Sequence, residues 1–154
     1  MSQPQVINLS DLELSQLGEV RKQFEEELNH LSNSYTQLKQ AQAKFTSCIE
    51  NVEELKPQNK DKPILVPLTN SLYVPGKLSD PEHVLVDIGT GYFVKKTRSE
   101  AIFYYRNKVE YIRTNLETLE DTINKKKDNM SAVTNVMQAK LKAQTQTQSN
   151  TQKA

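Results

Sequence analysis

Residues 17–52, LGEVRKQFEEELNHLSNSYTQLKQAQAKFTSCIENV, place Leu17, Phe24, Leu31, Leu38, Phe45 and Val52 seven residues apart. A companion row, four positions on, runs through Leu28, Tyr35, Gln42 and Ile49. Alternating steps of three and four, sustained this long, specify a coiled-coil seam rather than the broader face of a globular helix. A second stretch repeats the pattern. Its rows are Ile102, Val109, Leu116, Ile123, Met130, Met137 and Tyr105, Ile112, Leu119, Lys126, Val133, Lys140. Two seams of equal length on one chain, with a connection between them, predict a long antiparallel helical hairpin.

Composition agrees with an elongated fold. Of the 154 residues 36% are hydrophobic, tryptophan is absent and mean hydropathy is −0.69. A compact core would be poorly supplied, yet the helical placing of the apolar residues argues against disorder. The net charge of +1 gives no bulk attraction to nucleic acid or to an acidic membrane, so neither is expected as a partner. Cys48 stands alone, which excludes an intrachain disulfide and fits a reducing compartment. No secretory pattern is visible in residues 1–10, and no apolar run approaches the roughly 20 residues of a membrane span. The expected location is the cytoplasm, with the nucleus second.

Proline and glycine divide the chain. Five of six prolines (Pro57, Pro63, Pro67, Pro75, Pro81) and three of four glycines (Gly76, Gly89, Gly91) fall between positions 57 and 91. Proline inside a helix costs about 3 kcal/mol, so both arms are free to be long helices. Ser10 and Glu13 form an S-x-x-E capping box, with Leu9 and Leu14 as its staple, and Thr97 with Glu100 repeats the box before Ile102. The first coiled-coil helix is therefore predicted over 8–56 and the second over 98–142. Residues 143–154, a Gln/Thr-rich run, read as a disordered tail.

Residues 57–97 change period. Segments 64–68, 71–78, 83–88 and 92–96 are rich in β-branched and aromatic residues and predict four short strands in two hairpins at the base of the helical hairpin. Thr69-Asn70 and Gly89-Thr90-Gly91 sit where tight turns belong, and Val74-Pro75-Gly76-Lys77 reads as a type II turn or an edge bend. Isolated hairpins are marginal in water, and their open edges invite pairing with other chains. The apolar run Val84-Leu85-Val86 suggests burial on both faces. This segment is an assembly module, with Leu65, Val66, Leu72, Val74, Val84, Val86, Ile88, Tyr92 and Val94 as its expected contact residues.

No catalytic constellation is found. Gly89-Thr90-Gly91 leads into a strand, not into the helix N-terminus that a phosphate loop requires. His30, His83 and Cys48 lie in different segments, so no metal set converges, and no G-x-S-x-G or Cys/His signature occurs. No cofactor is expected and the chain is not an enzyme. Lys125-Lys126-Lys127 reads as a solvated face, with Lys126, like Gln42, falling on a seam row. At the far end of the rod the pairing collects Leu12, Leu14, Leu17, Val20, Val133, Val136, Met137 and Leu141. Leu12, Leu14, Val20 and Val136 fall off the seam rows, so the cluster reads either as local packing or as a surface for apolar clients.

The middle of the chain carries a resemblance. Leu65-Val66-Pro67-Leu68-Thr69, then Ser71-Leu72-Tyr73-Val74-Pro75-Gly76-Lys77, and then Val86-Asp87-Ile88-Gly89-Thr90-Gly91-Tyr92-Phe93-Val94 resemble the α-class subunits of prefoldin, most closely the eukaryotic subunit numbered five. The resemblance covers roughly residues 8–142. It implies a hetero-hexamer of two α-class and four β-class subunits, with a double β-barrel platform and six coiled-coil tentacles. It further implies capture of non-native actin and tubulin at the tips and their delivery to the cytosolic group II chaperonin without ATP. A coiled-coil adaptor that binds a regulatory partner through its hairpins is the alternative reading.

Overall fold

The computed structural model describes residues 9–151, with side chains to residue 146. A 3-10 turn (Leu9–Asp11) precedes helix α1 (Leu14–Glu54), and a second 3-10 turn (Pro57–Asn59) leads into the strands. These are β1 (Pro63–Pro67), β2 (Tyr73–Lys77), β3 (His83–Gly89) and β4 (Tyr92–Thr97), followed by helix α2 (Arg98–Thr151). The architecture is the expected one: mostly α, with two long helices and two β-hairpins. The chain divides into a terminal unit, residues 1–37 with 116–154, and a central unit, residues 38–115.

The helix ends show where local chemistry decides. The start of α2 follows its sequence signal. Thr97 N–H donates to Glu100 Oε2 at 3.0 Å and Glu100 N–H donates to Thr97 Oγ1 at 3.3 Å, which closes the reciprocal box. These bonds, the backbone one first, hold the Glu100 carboxyl below its usual range. The start of α1 corrects the Ser10–Glu13 reading. Ser10 lies in the 3-10 turn, and Glu13 N–H donates to Gln16 Oε1 at 3.0 Å just before the helix begins. A glutamine three residues on thus plays the part of the box glutamate, three residues later than expected. The end of α2 corrects the tail: the helix runs to Thr151, well past residue 142. Ala, Lys and Gln propagate a helix well, no Gly or Pro interrupts, and Thr145 satisfies its hydroxyl by donating to the Leu141 carbonyl at 2.9 Å. Residues 152–154 lie outside the described residues.

In the terminal unit Leu17, Leu28, Leu116, Ile123 and Val133 are buried, all on the heptad rows. Glu27 pairs with Lys126 and the Leu12 carbonyl accepts from Lys140, so partner numbers rise as their mates fall, the mark of antiparallel helices. In the central unit Val52, Val86 and Ala101 form a small core, against which Val84, Ile102, Tyr104 and Tyr105 pack. Arg98 crosses to the last turn of α1, donating to the carbonyls of Val52 at 3.5 Å and Glu53 at 3.4 Å. Asn59 Nδ2 donates to the Glu54 carbonyl at 2.6 Å and closes that helix end.

The strands form two separate antiparallel pairs, β1 with β2 (hairpin 1) and β3 with β4 (hairpin 2). Of the two readings of Val74–Lys77, a type II turn or an edge bend, the turn is corrected, for these residues lie in β2, with Val66 opposite Val74 and Leu65 opposite Pro75. The turn of hairpin 1 is where Thr69-Asn70 predicted it, and Thr69 Oγ1 accepts from Leu72 N–H at 3.1 Å. The turn of hairpin 2 is where the glycines predicted it. Gly89 and Gly91 have φ of 122° and 78°, Thr90 is left-handed at 52°, and a bulge falls between Asp87 and Gly89.

Candidate functional site

The feature of the central unit with functional weight is uncovered apolar surface. Strand alternation sends Ile64, Val66 and Val74 to one face of hairpin 1, and Leu65 and Tyr73 to the other. All five are exposed, as are Leu68 and Leu72 beside the turn. A face so apolar and so wet is not the free surface of a stable monomeric protein.

Hairpin 2 is different. Its inner residues Val84 and Val86 pack on the helices, and Val86 is only 1% exposed. Its outer residues stay in solvent: Leu85 is 70% exposed and Phe93 is exposed with it, while Ile88 and Tyr92, beside the bulge, are exposed too. The expectation that Val84-Leu85-Val86 is covered on both faces by assembly is therefore corrected for Val84 and Val86. The chain's own helices cover them, because α2 starts one residue after β4 and returns along the sheet's inner side. Leu65, Val66, Leu72, Val74, Ile88, Tyr92 and Val94 are exposed.

The polar surroundings of hairpin 2 organise its entrance. Asp80 Oδ1 accepts from the N–H groups of Glu82 at 3.0 Å and His83 at 3.2 Å, while Oδ2 lies 3.0 Å from His83 Nδ1. Partial burial pushes the Asp80 carboxyl upward, but these hydrogen bonds overcome it and hold it below its ordinary value. Lys95 sits 3.8 Å from the same carboxylate. The cluster is an Asx-type turn that orders the start of β3. Among the described residues no group of three His, Cys, Asp or Glu is placed to hold a metal. Cys48 is half-buried beside Tyr105, whose phenol is raised by burial and then by that thiol.

In the terminal unit the residues expected at the tip separate. Leu17 and Val133 are buried seam residues, while Leu12, Leu14, Val20, Val136 and Met137 are half-buried. Leu141 alone of the eight is exposed, at 51%. Lys126, on its core row, bonds Glu27 and lies 5.2 Å over the Phe24 ring, so a cation in the seam is matched by a carboxylate and an aromatic face. That bond, followed by one from Gln23, lowers the Glu27 carboxyl below its usual value. Phe103 and Tyr111, both exposed on α2, escaped the sequence reading. Their spacing of eight put them on one helical face off the seam, a signal that could have found them.

No helix is long and apolar enough to cross a membrane among the described residues. The comparisons agree on one family. Residues 24–143 match the family described as "Prefoldin subunit". The chain is 48% identical over 141 residues to the probable prefoldin subunit 5 of Schizosaccharomyces pombe, covering 90% of this chain and 92% of that one. It is 39% identical over 137 residues to prefoldin subunit 5 of Homo sapiens, covering 89% of each. The fold matches a chain in the cryo-EM structure of filamentous PFD from Methanocaldococcus jannaschii, with a TM-score of 0.67 and 19% identity over 75% of this chain and 95% of that one. A paired-helix fold, two hairpins with uncovered apolar faces and relatives that match nearly end to end lead to one conclusion: the chain belongs to the prefoldin family, a family of non-enzymatic chaperones, and its similarity lies with subunit 5.

Proposed function

We propose that the chain is an α-class subunit of a hetero-hexameric holdase, built from two α-class and four β-class subunits. The central unit joins the shared platform through its hairpins. The terminal unit contributes apolar contacts to non-native clients such as actin and tubulin, which pass to the cytosolic group II chaperonin without ATP. The working location is the cytoplasm, with the nucleus second. The observation that carries this reading is the concentration of exposed apolar side chains on the two hairpins, from Ile64 to Val94. Surface of that kind is worth about 25 cal/mol per Å² when covered, so assembly is its natural fate.

Native mass spectrometry of the endogenous complex tests the stoichiometry. A hexamer containing two copies of this chain or one copy with a second α-class subunit is expected; a monomer or dimer would favour an adaptor. Client capture is tested by replacing Leu12, Leu14, Val20, Val136 and Leu141 together with serine. The hexamer is expected to form while suppression of actin aggregation falls, because several weak apolar contacts acting through several arms supply the avidity. Full protection by an intact variant hexamer would place capture elsewhere.

A further inference from the structure

The connector between α1 and hairpin 1 carries positive charge that its surroundings do not neutralise. Lys56, Lys60 and Lys62 stand close together in it, and Lys77 lies across the same end of hairpin 1, opposite Pro63. All four are exposed, and among the described residues none of them pairs with a carboxylate. The neighbouring acidic groups do not cancel them. Glu53 is held by Arg106 at 3.2 Å, which leaves Glu54 and Asp61 against four ammonium groups. The run Lys125-Lys126-Lys127 is different. There Lys126 is bonded to Glu27, and Asp121 and Asp128 share the helical face of Lys125.

The connector is also tightly bonded for a segment that buries nothing. Asn59 N–H donates to Lys56 O at 2.8 Å, Lys60 N–H to Pro57 O at 3.2 Å and Lys62 N–H to Asn59 O at 3.2 Å. Asp61 N–H crosses to Leu78 O at 2.7 Å, and Leu78 N–H returns to Lys62 O at 3.1 Å. The Asn59 side chain holds the end of α1 with its amide and accepts from Lys62 Nζ at 2.7 Å. The backbone that carries the lysines is therefore set before any partner arrives, which lowers the entropy lost on binding. With a 3-10 rise of about 2 Å per residue, Lys56 and Lys60 are about 8 Å apart along the turn. In an extended peptide, side chains two residues apart share one face with about 7 Å between them. Carboxylates on alternate residues of such a peptide thus match the spacing of the lysines.

We propose that Lys56, Lys60, Lys62 and Lys77 form a docking surface for an extended acidic segment of a partner protein, with Asp or Glu at alternate positions. A nucleic acid fits less well. Its affinity grows with each phosphate neutralised, and four lysines neutralise few. No arginine stands among residues 56–63 or 76–80 for bidentate phosphate contact, and no aromatic ring stands there for a base to stack on. The surface is complete within one chain, so it stands or falls separately from the assembly reading.

The test is fluorescence anisotropy with a labelled peptide of alternating Glu and Ser, titrated with the full chain and, separately, with the complex that contains it. The Glu/Ser peptide is expected to bind at least about tenfold more tightly than a Gln/Ser peptide at low salt, and to lose about tenfold by roughly 0.3 M salt. Lys56→Gln, Lys60→Gln, Lys62→Gln and Lys77→Gln together should weaken it by about tenfold or more. The same four positions changed to arginine keep the charge and should stay within about threefold of the unaltered chain. Lys125→Gln with Lys127→Gln should change binding by less than about twofold. Equal binding of the two peptides overturns the proposal. So does an equal loss in the Lys125/Lys127 variant, which would make the attraction one of bulk charge. Binding by the chain that vanishes in the complex overturns it too, since the lysines would then be covered by assembly. A single-stranded oligonucleotide of equal charge that binds more tightly than the Glu/Ser peptide, and is lost in the four-lysine variant, overturns it in favour of a nucleic-acid site.

Discussion

The central and terminal units handle the same kind of residue in opposite ways. In the terminal unit nearly every large apolar side chain is at least partly covered by the paired helix, and Leu141 is the exposed one among the described residues. In the central unit Leu65, Leu85, Tyr92 and their neighbours stay in water. A seam two helices wide can cover its own narrow stripe. A two-stranded sheet has two faces and two edges, and one chain covers only one face of one hairpin. The terminal unit is thus self-sufficient in packing, whereas the central unit is built to be completed.

The sharpest way to break this comparison is at Val86, which belongs to the chain's own core. Val86→Asp should destabilise the isolated chain by about 3–5 kcal/mol, because the carboxylate has no partner there. Chemical unfolding of the central unit measures it, and an unchanged transition would mean that Val86 is covered only on assembly. Next comes Leu17, fully buried in the terminal unit. Leu17→Ala should cost about 2–4 kcal/mol, seen as an earlier helix-melting transition in circular dichroism. A loss below about 0.5 kcal/mol would show that this part of the seam is loose.

The exposed hairpin residues should give the reverse result. Leu65→Ser, Leu72→Ser and Tyr92→Ser together should shift the isolated chain's stability by only about 0.5 kcal/mol per site, yet reduce co-purification of partner subunits severely. Undiminished co-purification would remove these faces from the interface. The smallest effect concerns Glu27. Its folded carboxyl is lowered, chiefly by the Lys126 bond, so its stabilisation is present above the unfolded pKa and lost as pH falls through the folded value. Glu27→Gln should flatten the acid side of the thermal-stability profile below the ordinary glutamate range and leave its alkaline side unchanged. Parallel profiles would show the pair to be energetically silent.

Much of this was legible because periodicity is a strong signal. The buried residues Leu17, Leu28, Val52, Ile112, Leu116, Ile123 and Val133 all lie on rows read from spacing alone. The Thr97–Glu100 box was legible too, since both of its bonds are local. The start of α1 was not, because Gln16 competes with Glu13 for the same task and the sequence holds both. The end of α2 was misread because threonine and glutamine are polar without being helix breakers. Nor could spacing tell which of Leu85 and Val86 meets the helices, since a strand apolar on both faces carries no sign of direction. Pro75 was read as part of a type II turn or an edge bend, whereas in an outward edge position of a strand it costs the ladder nothing.

The junction of β4 with α2 has a mechanical consequence. The strand ends at Thr97 and the helix begins at Arg98, with no loop between them. The capping bonds of Thr97 and Glu100 stiffen that joint, and Arg98 ties it to the end of α1. Hairpin 2 and the start of α2 therefore turn as a single lever, while hairpin 1 hangs from connecting segments on both sides. A torque applied where hairpin 2 is held passes directly into the first turns of α2 instead of being absorbed by a hinge.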